Sequence, residues 1–260
     1  KTAYEIPKRD WSSDVCSSDL ECDEWYYDND HDHEEEEDDT GMSEYHSGQR
    51  RGFQPINSPW IQRQKKPPVY FGVELEVEAK EGYLRADAIQ NVRNSLSSGF
   101  IASIEEDGSL DALRGFEIVT NPAGLDVHRQ EWHKADLEHV VSHDSPRCGL
   151  HVHMSRNAIR PLTIGRMAEF LNDDNNKVFL ETLMRRTFLW AAKQVKGMKI
   201  MDAQRVPLQP ERRYEVLNLT ERNTIEFRLP KGTTKKETII ATVEFCNALI
   251  RFCEIGRAHV

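Results

Sequence analysis

The chain has 260 residues, a formal net charge of −10 at pH 7 and five cysteines. The cysteines lack CxxC spacing, which argues against a zinc ribbon or a disulfide framework and fits a reducing compartment. No apolar run is long enough to span a bilayer. We therefore expect a cytoplasmic protein without a membrane partner.

The two ends of the chain resemble translated sequencing-library adapter. Lys1–Ile6 and Asp10–Leu20 match the translation of one adapter strand in the expected order, and Glu254–Val260 matches its opposite strand. We therefore interpret 1–20 and 254–260 as artefacts and exclude them from the fold prediction, as for any expression scar. On this interpretation the chain is a metagenomic fragment, and the natural protein is expected to continue past both ends.

An acidic segment precedes the part of the chain that can fold. Glu21–Tyr45 holds 13 acidic residues and no Lys or Arg. Such a block repels itself and cannot bury a core, so we predict a disordered linker and lead-in over 21–67. His46–Cys253 carries 30 basic and 26 acidic residues. That mild excess suits an anionic substrate such as a nucleotide and does not indicate a nucleic-acid partner.

Hydrophobic periodicity predicts one domain over 68–253, built from strands of period two and helices of period 3.6. The predicted strands are Tyr70–Glu78, Ile101–Glu105, Phe116–Thr120, Gly149–Ser155, Arg213–Asn218 and Thr224–Leu229. The predicted helices are Gly82–Ser97, Leu125–His143, Arg160–Asn172, Asn176–Val195 and Lys236–Cys253. Because the strands return at irregular intervals, we predict an α+β domain with a mainly antiparallel sheet and helices on one face.

Three predicted strands carry polar residues at alternate positions, which places those residues on one face of a sheet. The pairs are Glu74 with Glu76, His151 with His153, and Glu226 with Arg228. Carboxylates with an imidazole suit Mg²⁺ or Mn²⁺, and a guanidinium fork matches a phosphoryl group. Taken alone, paired Glu on a strand is usually a solvated face, and an HxH strand fits a zinc site or a structural pair equally well.

Six motifs in order resemble the amidoligase family, a branch of the carboxylate–amine ligases related to glutamine synthetase and glutamate–cysteine ligase. They are FGxExE at Phe71–Glu76, DGS at Asp107–Ser109, a Glu-to-Pro segment at Glu117–Pro122, CGxHVH at Cys148–His153, YxxxN at Tyr214–Asn218 and TxEFR at Thr224–Arg228. Any one of these motifs is weak. Their order over 70–240 carries the resemblance.

The resemblance implies a glutamine synthetase-like catalytic fold with two metal ions. The metal ligands that it implies are Glu74, His151 and Glu226 for one ion, with His153 on the same strand, and Glu76 and Glu117 for the other. The residues that it implies for catalysis and ATP binding are Arg228, Asp107, Arg213 and Asn218. The segment between Arg186 and Arg212 carries no signature of the family.

The implied activity is an ATP- and Mg²⁺-dependent (or Mn²⁺-dependent) ligation of a carboxylate to an amine through an acyl phosphate. The substrates of such families are amino acids or peptides, and some members occur in phage-related contexts. The sequence does not select the substrates, the general base or the oligomeric state.

Two other hypotheses remain. A zinc hydrolase would use His151, His153 and Glu226 with an activated water, but the cluster is richer in carboxylates than zinc sites usually are. A non-catalytic binding module would be expected to lose at least one charged motif position, and all of them are filled.

Overall fold

The computed structural model describes residues 68–142, 148–188, 215–220 and 223–255. The strands formed by these residues are β1 (Phe71–Ala79), β2 (Ile101–Glu105), β3 (Gly115–Thr120), β4 (Val140–Val141), β5 (Leu150–Ser155), β6 (Leu217–Asn218) and β7 (Thr224–Phe227). The helices are α1 (Arg85–Ser95), α2 (Leu125–Lys134), α3 (Pro161–Asn172), α4 (Lys177–Met184) and α5 (Lys236–Ile255). None of these helices has the length and apolar character needed to cross a bilayer.

The strands form one sheet in the order β2-β3-β1-β5-β7-β6, and β4 pairs with the end of β1. Each pairing between these strands is antiparallel. This confirms the predicted α+β class. The longest strand, β1, lies between β3 and β5. Its pairing with both strands determines which side chains of the three strands lie opposite one another.

One face of the sheet is apolar because β1 alternates strictly. Phe71, Val73, Leu75, Val77 and Ala79 are all buried, and the intervening residues point to the other face. The helices α1 and α5 pack against β1 and β5, and α5 also contacts α2 and α3. The buried apolar cluster therefore joins the sheet to a layer of helices.

Two predicted helices end earlier than expected. The first was predicted to reach His143, but α2 ends at Lys134. The chain then returns to the sheet, where the backbone N–H of Lys80 donates to the carbonyl of His139 (2.9 Å) and Val140 pairs with Ala79 in β4. Tertiary pairing with β1 therefore overrides the helical spacing of this segment.

The second helix was predicted to reach Val195, but α4 ends at Met184. Arg185 adopts the left-handed conformation, with φ of 57°, which terminates an α-helix. The carbonyl of Met184 then accepts a hydrogen bond from the backbone N–H of Lys231 (3.0 Å). Residues 189–195, the rest of this prediction, lie outside the described residues.

His128 of α2 is buried in the core. Its Nε2 donates to the carbonyl oxygen of Phe71 (2.6 Å), and its Nδ1 accepts a hydrogen bond from the indole of Trp132 (3.3 Å). This pairing requires the neutral imidazole, in which one nitrogen donates and the other accepts. Burial lowers the pKa of His128 from 6.5 to about 4.

We expect this histidine to make the folded state sensitive to acid. As the pH falls, the unfolded state binds a proton first, so the contribution of His128 is complete above pH 6.5 and is lost progressively down to about pH 4. The loss over this window is on the order of 3 kcal/mol. Urea unfolding at a series of pH values measures it. His128→Gln retains an amide donor and should reduce the change of the unfolding free energy with pH. An equal pH dependence in the two proteins would contradict a buried neutral imidazole.

Gly115 begins β3, where the preceding turn comes close to its backbone. A Cβ at this position would lie 2.4 Å from the Cβ of Leu110 and 2.7 Å from the backbone oxygen of Asp111. Backbone cannot move aside as the end of a flexible side chain can, so any substitution displaces the strand.

We expect Gly115→Ala to lower the free energy of unfolding by about 1–3 kcal/mol, as is usual for overpacking. Gly108→Ala is the matched control, because a Cβ there meets no atom within 4 Å, and it should change stability by no more than about 0.5 kcal/mol. Urea unfolding of both variants tests this. Equal stability of the two variants would show that the turn before β3 relaxes freely.

Candidate functional site

The register of the sheet collects six polar side chains on the face opposite the apolar core. The members come from four strands, β1, β3, β5 and β7. Neighbouring strands set them in opposed pairs: Glu76 with Glu117, Glu74 with His151, and His153 with Glu226. All six were predicted as metal ligands, and the fold brings all six together.

His151 lies at the centre of this group and is buried. Its Nδ1 is 3.6 Å from Glu74 Oε2 and 3.5 Å from Glu226 Oε1, and its Nε2 is 3.7 Å from Glu76 Oε1. These separations exceed those of good hydrogen bonds. Three carboxylates therefore surround the imidazole of His151 at distances too long for good hydrogen bonds.

His153 lies next to Glu74 on the adjoining strand. Its Nε2 is 3.0 Å from Glu74 Oε1, and its Nδ1 is 3.2 Å from the hydroxyl of Thr224. Burial by itself would raise the pKa of Glu74, but the neighbouring His153 and His151 outweigh it and hold that pKa well below its ordinary value. Glu74 is therefore an ionised carboxylate.

Glu226 is held by two donors. Asn218 of β6 donates its amide to Glu226 Oε2 (2.7 Å), and Arg228 donates to Oε1. The side-chain oxygen of Asn218 also accepts from the backbone and the hydroxyl of Thr220. The amide of Asn218 thus orients Glu226 through hydrogen bonds inside the protein. Its predicted contact with ATP stays a prediction.

Arg228 is the predicted phosphate-binding residue, and it lies beside the carboxylates. Burial alone would lower its pKa, but Glu226, Glu74 and Glu76 raise it above the ordinary value. The guanidinium therefore stays charged. Arg213, the other arginine predicted to face ATP, lies outside the described residues.

Carboxylates dominate the other end of the face. Glu76 accepts a hydrogen bond from the backbone N–H of Gly149, which fixes one of its oxygens. The pKa of Glu117 is raised well above its ordinary value by burial and then by Glu74, Glu76 and Asp107. Asp107 lies in the turn after β2, where its side chain accepts from the backbone of Ser109 (2.7 Å).

Three groups on this face have ligand atoms within 4.8 Å of one another. They are Glu74 with His153 and Glu226, Glu74 with Glu117 and His151, and Glu76 with Asp107 and Glu117. The third group matches the predicted second metal site with Asp107 beside it. For the predicted first site, His151 Nδ1 lies within 3.6 Å of both Glu74 and Glu226, and His153 is a second imidazole that can join the same two carboxylates. The first two groups combine carboxylates with one imidazole, and the third consists of carboxylates alone; Mg²⁺ and Mn²⁺ accept such oxygen-rich donor sets in proteins.

Arg186 also reaches this face, although no motif predicted it there. A Cβ on Gly149 would lie 2.9 Å from Arg186 Nη1 and 2.8 Å from His151 Nε2. The guanidinium therefore approaches the space left by the glycine of the CGxHVH motif. That glycine was the available signal, because it indicates that another group comes close to the backbone.

We expect Glu117→Gln to stabilise the metal-free protein and to weaken its response to metal. A neutral amide removes the cost of holding an ionisable carboxyl in a buried place among acidic neighbours, which should raise the free energy of unfolding by about 1–2 kcal/mol in chelator. Thermal unfolding with chelator and with Mn²⁺ measures both effects.

The matched control for that experiment is Glu78→Gln. Glu78 lies on β1, the strand that pairs with β3, but it forms an ion pair with Arg114 (3.6 Å), so its substitution should leave the metal response unchanged and should not stabilise the fold. If Glu117→Gln were less stable than the unchanged chain in chelator, these neighbouring carboxylates would be stabilising the fold, which would contradict the prediction.

Comparison with known families identifies one match. Residues 181–250 match the model of a family described as "Putative amidoligase enzyme". The matched segment contains Arg186, Asn218, Glu226 and Arg228, and the motifs on β1, β3 and β5 precede it. A search of the curated proteins found no match. The family match points to an amide-forming ligase.

Proposed function

We propose that this chain is an ATP- and Mg²⁺-dependent ligase that joins the carboxylate of an amino acid or peptide to an amine through an acyl phosphate. The observation that carries the proposal is the convergence of carboxylates, imidazoles and Arg228 from separate strands on one face of the sheet. The family match over 181–250 supports the same type of enzyme.

The donor groups fit two or more divalent ions with oxygen-rich coordination. Glu76, Glu117 and Asp107 would hold one ion, and Glu74 with Glu226 and an imidazole would hold another. Such ions neutralise neighbouring carboxylates and offset the charge of a phosphoryl group during transfer.

The protein residues around these ligands have defined tasks. The amide of Asn218 and the guanidinium of Arg228 orient Glu226, and the backbone N–H of Gly149 orients Glu76. The hydroxyl of Thr224 fixes the ring of His153. Arg228 remains cationic beside the cluster, where it would bind the phosphate oxygens and stabilise the charge that develops on them.

The proposed chemistry has two steps. A free carboxylate is a poor electrophile, so one of its oxygens first attacks the γ-phosphorus of ATP. The bond from that phosphorus to the bridging oxygen breaks, and ADP leaves. The amine then attacks the acyl carbon, the bond to the phosphate oxygen breaks, and the amine nitrogen loses a proton. Holding the phosphate and the carboxylate against fixed charges lowers the barrier by positioning and electrostatics.

We expect a non-hydrolysable ATP analogue to stabilise the chain only when Mg²⁺ is present. A ligand at a hundred times its dissociation constant stabilises a protein by about 2.7 kcal/mol, so thermal unfolding detects the effect readily. Glu226→Gln should abolish the shift, because it removes a buried ligand carboxylate. The matched control, Glu81→Gln, changes an exposed residue and should retain the full shift.

The same measurement separates the ligase from a zinc hydrolase. Stabilisation by Zn²⁺ alone, with no effect of the nucleotide analogue, would contradict the ligase and favour a hydrolase built on His151, His153 and Glu226. A shift that requires both Mg²⁺ and the analogue justifies a screen of amines and carboxylates for ADP release.

A further inference from the structure

Arg186 follows α4, outside the sheet, and its side chain extends towards the face of the sheet that carries the candidate metal ligands. Arg185 takes the left-handed conformation after α4 (φ 57°), and the backbone N–H of Arg186 still bonds the carbonyl of Glu181 (3.3 Å). The carbonyl of Met184 bonds Lys231, next to β7. The turn is thus attached both to its helix and to the segment that follows β7, so the fold fixes the backbone position from which the Arg186 side chain extends.

The guanidinium of Arg186 comes close to two of the candidate metal ligands, His151 and Glu76. A Cβ placed on Gly149 would meet Arg186 Nη1 at 2.9 Å, His151 Nε2 at 2.8 Å and Glu76 Oε2 at 3.3 Å. Three functional groups from three parts of the chain therefore border the space that any larger residue at 149 would occupy. The absence of a side chain at Gly149 is what admits Arg186 to the cluster.

Arg186 and Arg228 are near enough to influence each other. Burial lowers the pKa of Arg186, Glu76 raises it, and Arg228 lowers it again. Glu76 also raises the pKa of Arg228. The guanidinium groups of Arg186 and Arg228 repel each other in this half-buried region, and an anion bound between them would offset that repulsion.

The neighbouring arginine shows that this placement is specific to one side chain. Arg185 is exposed, and its Nη2 donates to the carbonyl oxygen of Lys231 (3.0 Å). The two adjacent arginines therefore point to different surroundings, one to the surface and one to the carboxylate cluster.

We propose that Arg186 binds the terminal phosphate of the nucleotide together with Arg228, and that it makes the site select a triphosphate over a diphosphate. This inference rests on the proposed function. The terminal phosphate is the relevant group because Arg186 borders Glu76 and His151, which belong to the candidate metal groups, and the transferred phosphoryl group of a ligase lies against its metal ions.

The test compares two nucleotides on matched variants of the whole chain. We expect Arg186→Gln to weaken binding of a non-hydrolysable ATP analogue with Mg²⁺ by about tenfold or more, the usual effect of losing a charge-assisted contact. Its affinity for ADP should change by less than about threefold, because ADP lacks the terminal phosphate. Arg185→Gln is the control and should leave both affinities unchanged.

A second variant protects the test against a failure to fold. Arg186→Lys keeps the charge but not the planar fork, so it should recover part of the affinity for the analogue. Circular dichroism and thermal unfolding without ligand check that each variant is folded. Equal weakening of the analogue and ADP, or no weakening of either, would overturn the role of Arg186 while leaving nucleotide binding intact. A wild-type chain that binds neither nucleotide would overturn the proposed function as well.

Discussion

The antiparallel pairing of β1 with β3 and β5 is the constraint on which the rest of the structure depends. Its register sets Glu76 against Glu117 and Glu74 against His151. A slip of one residue would turn the carboxylates into the apolar core and Leu75 and Val77 out of it. Burial of the apolar alternate residues therefore fixes the positions of the polar ones. The same alternation that folds the domain also assembles the candidate site.

Collecting so many carboxylates on one face costs stability, and the structure offsets this cost unevenly. Glu226 has an amide and a guanidinium as donors, and Glu74 has two imidazoles beside it. For Glu117 the neighbours that act on its charge are acidic, and its pKa rises accordingly. Carboxylates that are kept close at a cost to the fold are typical of functional sites. This imbalance is the physical argument that the cluster serves a ligand rather than the fold.

Much of this arrangement could be predicted from the sequence, because alternation along a strand is local. The bounds of β2 agree with the prediction, and the six predicted metal ligands do share one face. The ends of α2 and α4 could not be predicted. They are decided by contacts with distant segments, namely the pairing of Val140 with β1 and the bond from Lys231 to Met184. Helical spacing carries no information about such contacts.

The same distinction explains which parts of the site were missed. The ligand candidates of β1 and β5 occur in pairs at alternate positions, so a strand pattern identifies them. Other groups come singly from other elements: the backbone N–H of Gly149, which orients Glu76, and Arg186 from the turn after α4. Asn218 of β6 was predicted at the site, but its bond to Glu226 was not. The family match begins inside α4 and covers Arg186, Asn218 and Arg228, whereas the strand motifs of β1 and β5 lie before it. The candidate site thus combines locally encoded ligands with charges that only the folded chain brings to them. The proposed chemistry depends on both, because carboxylates alone would repel the phosphate that we propose the arginines bind.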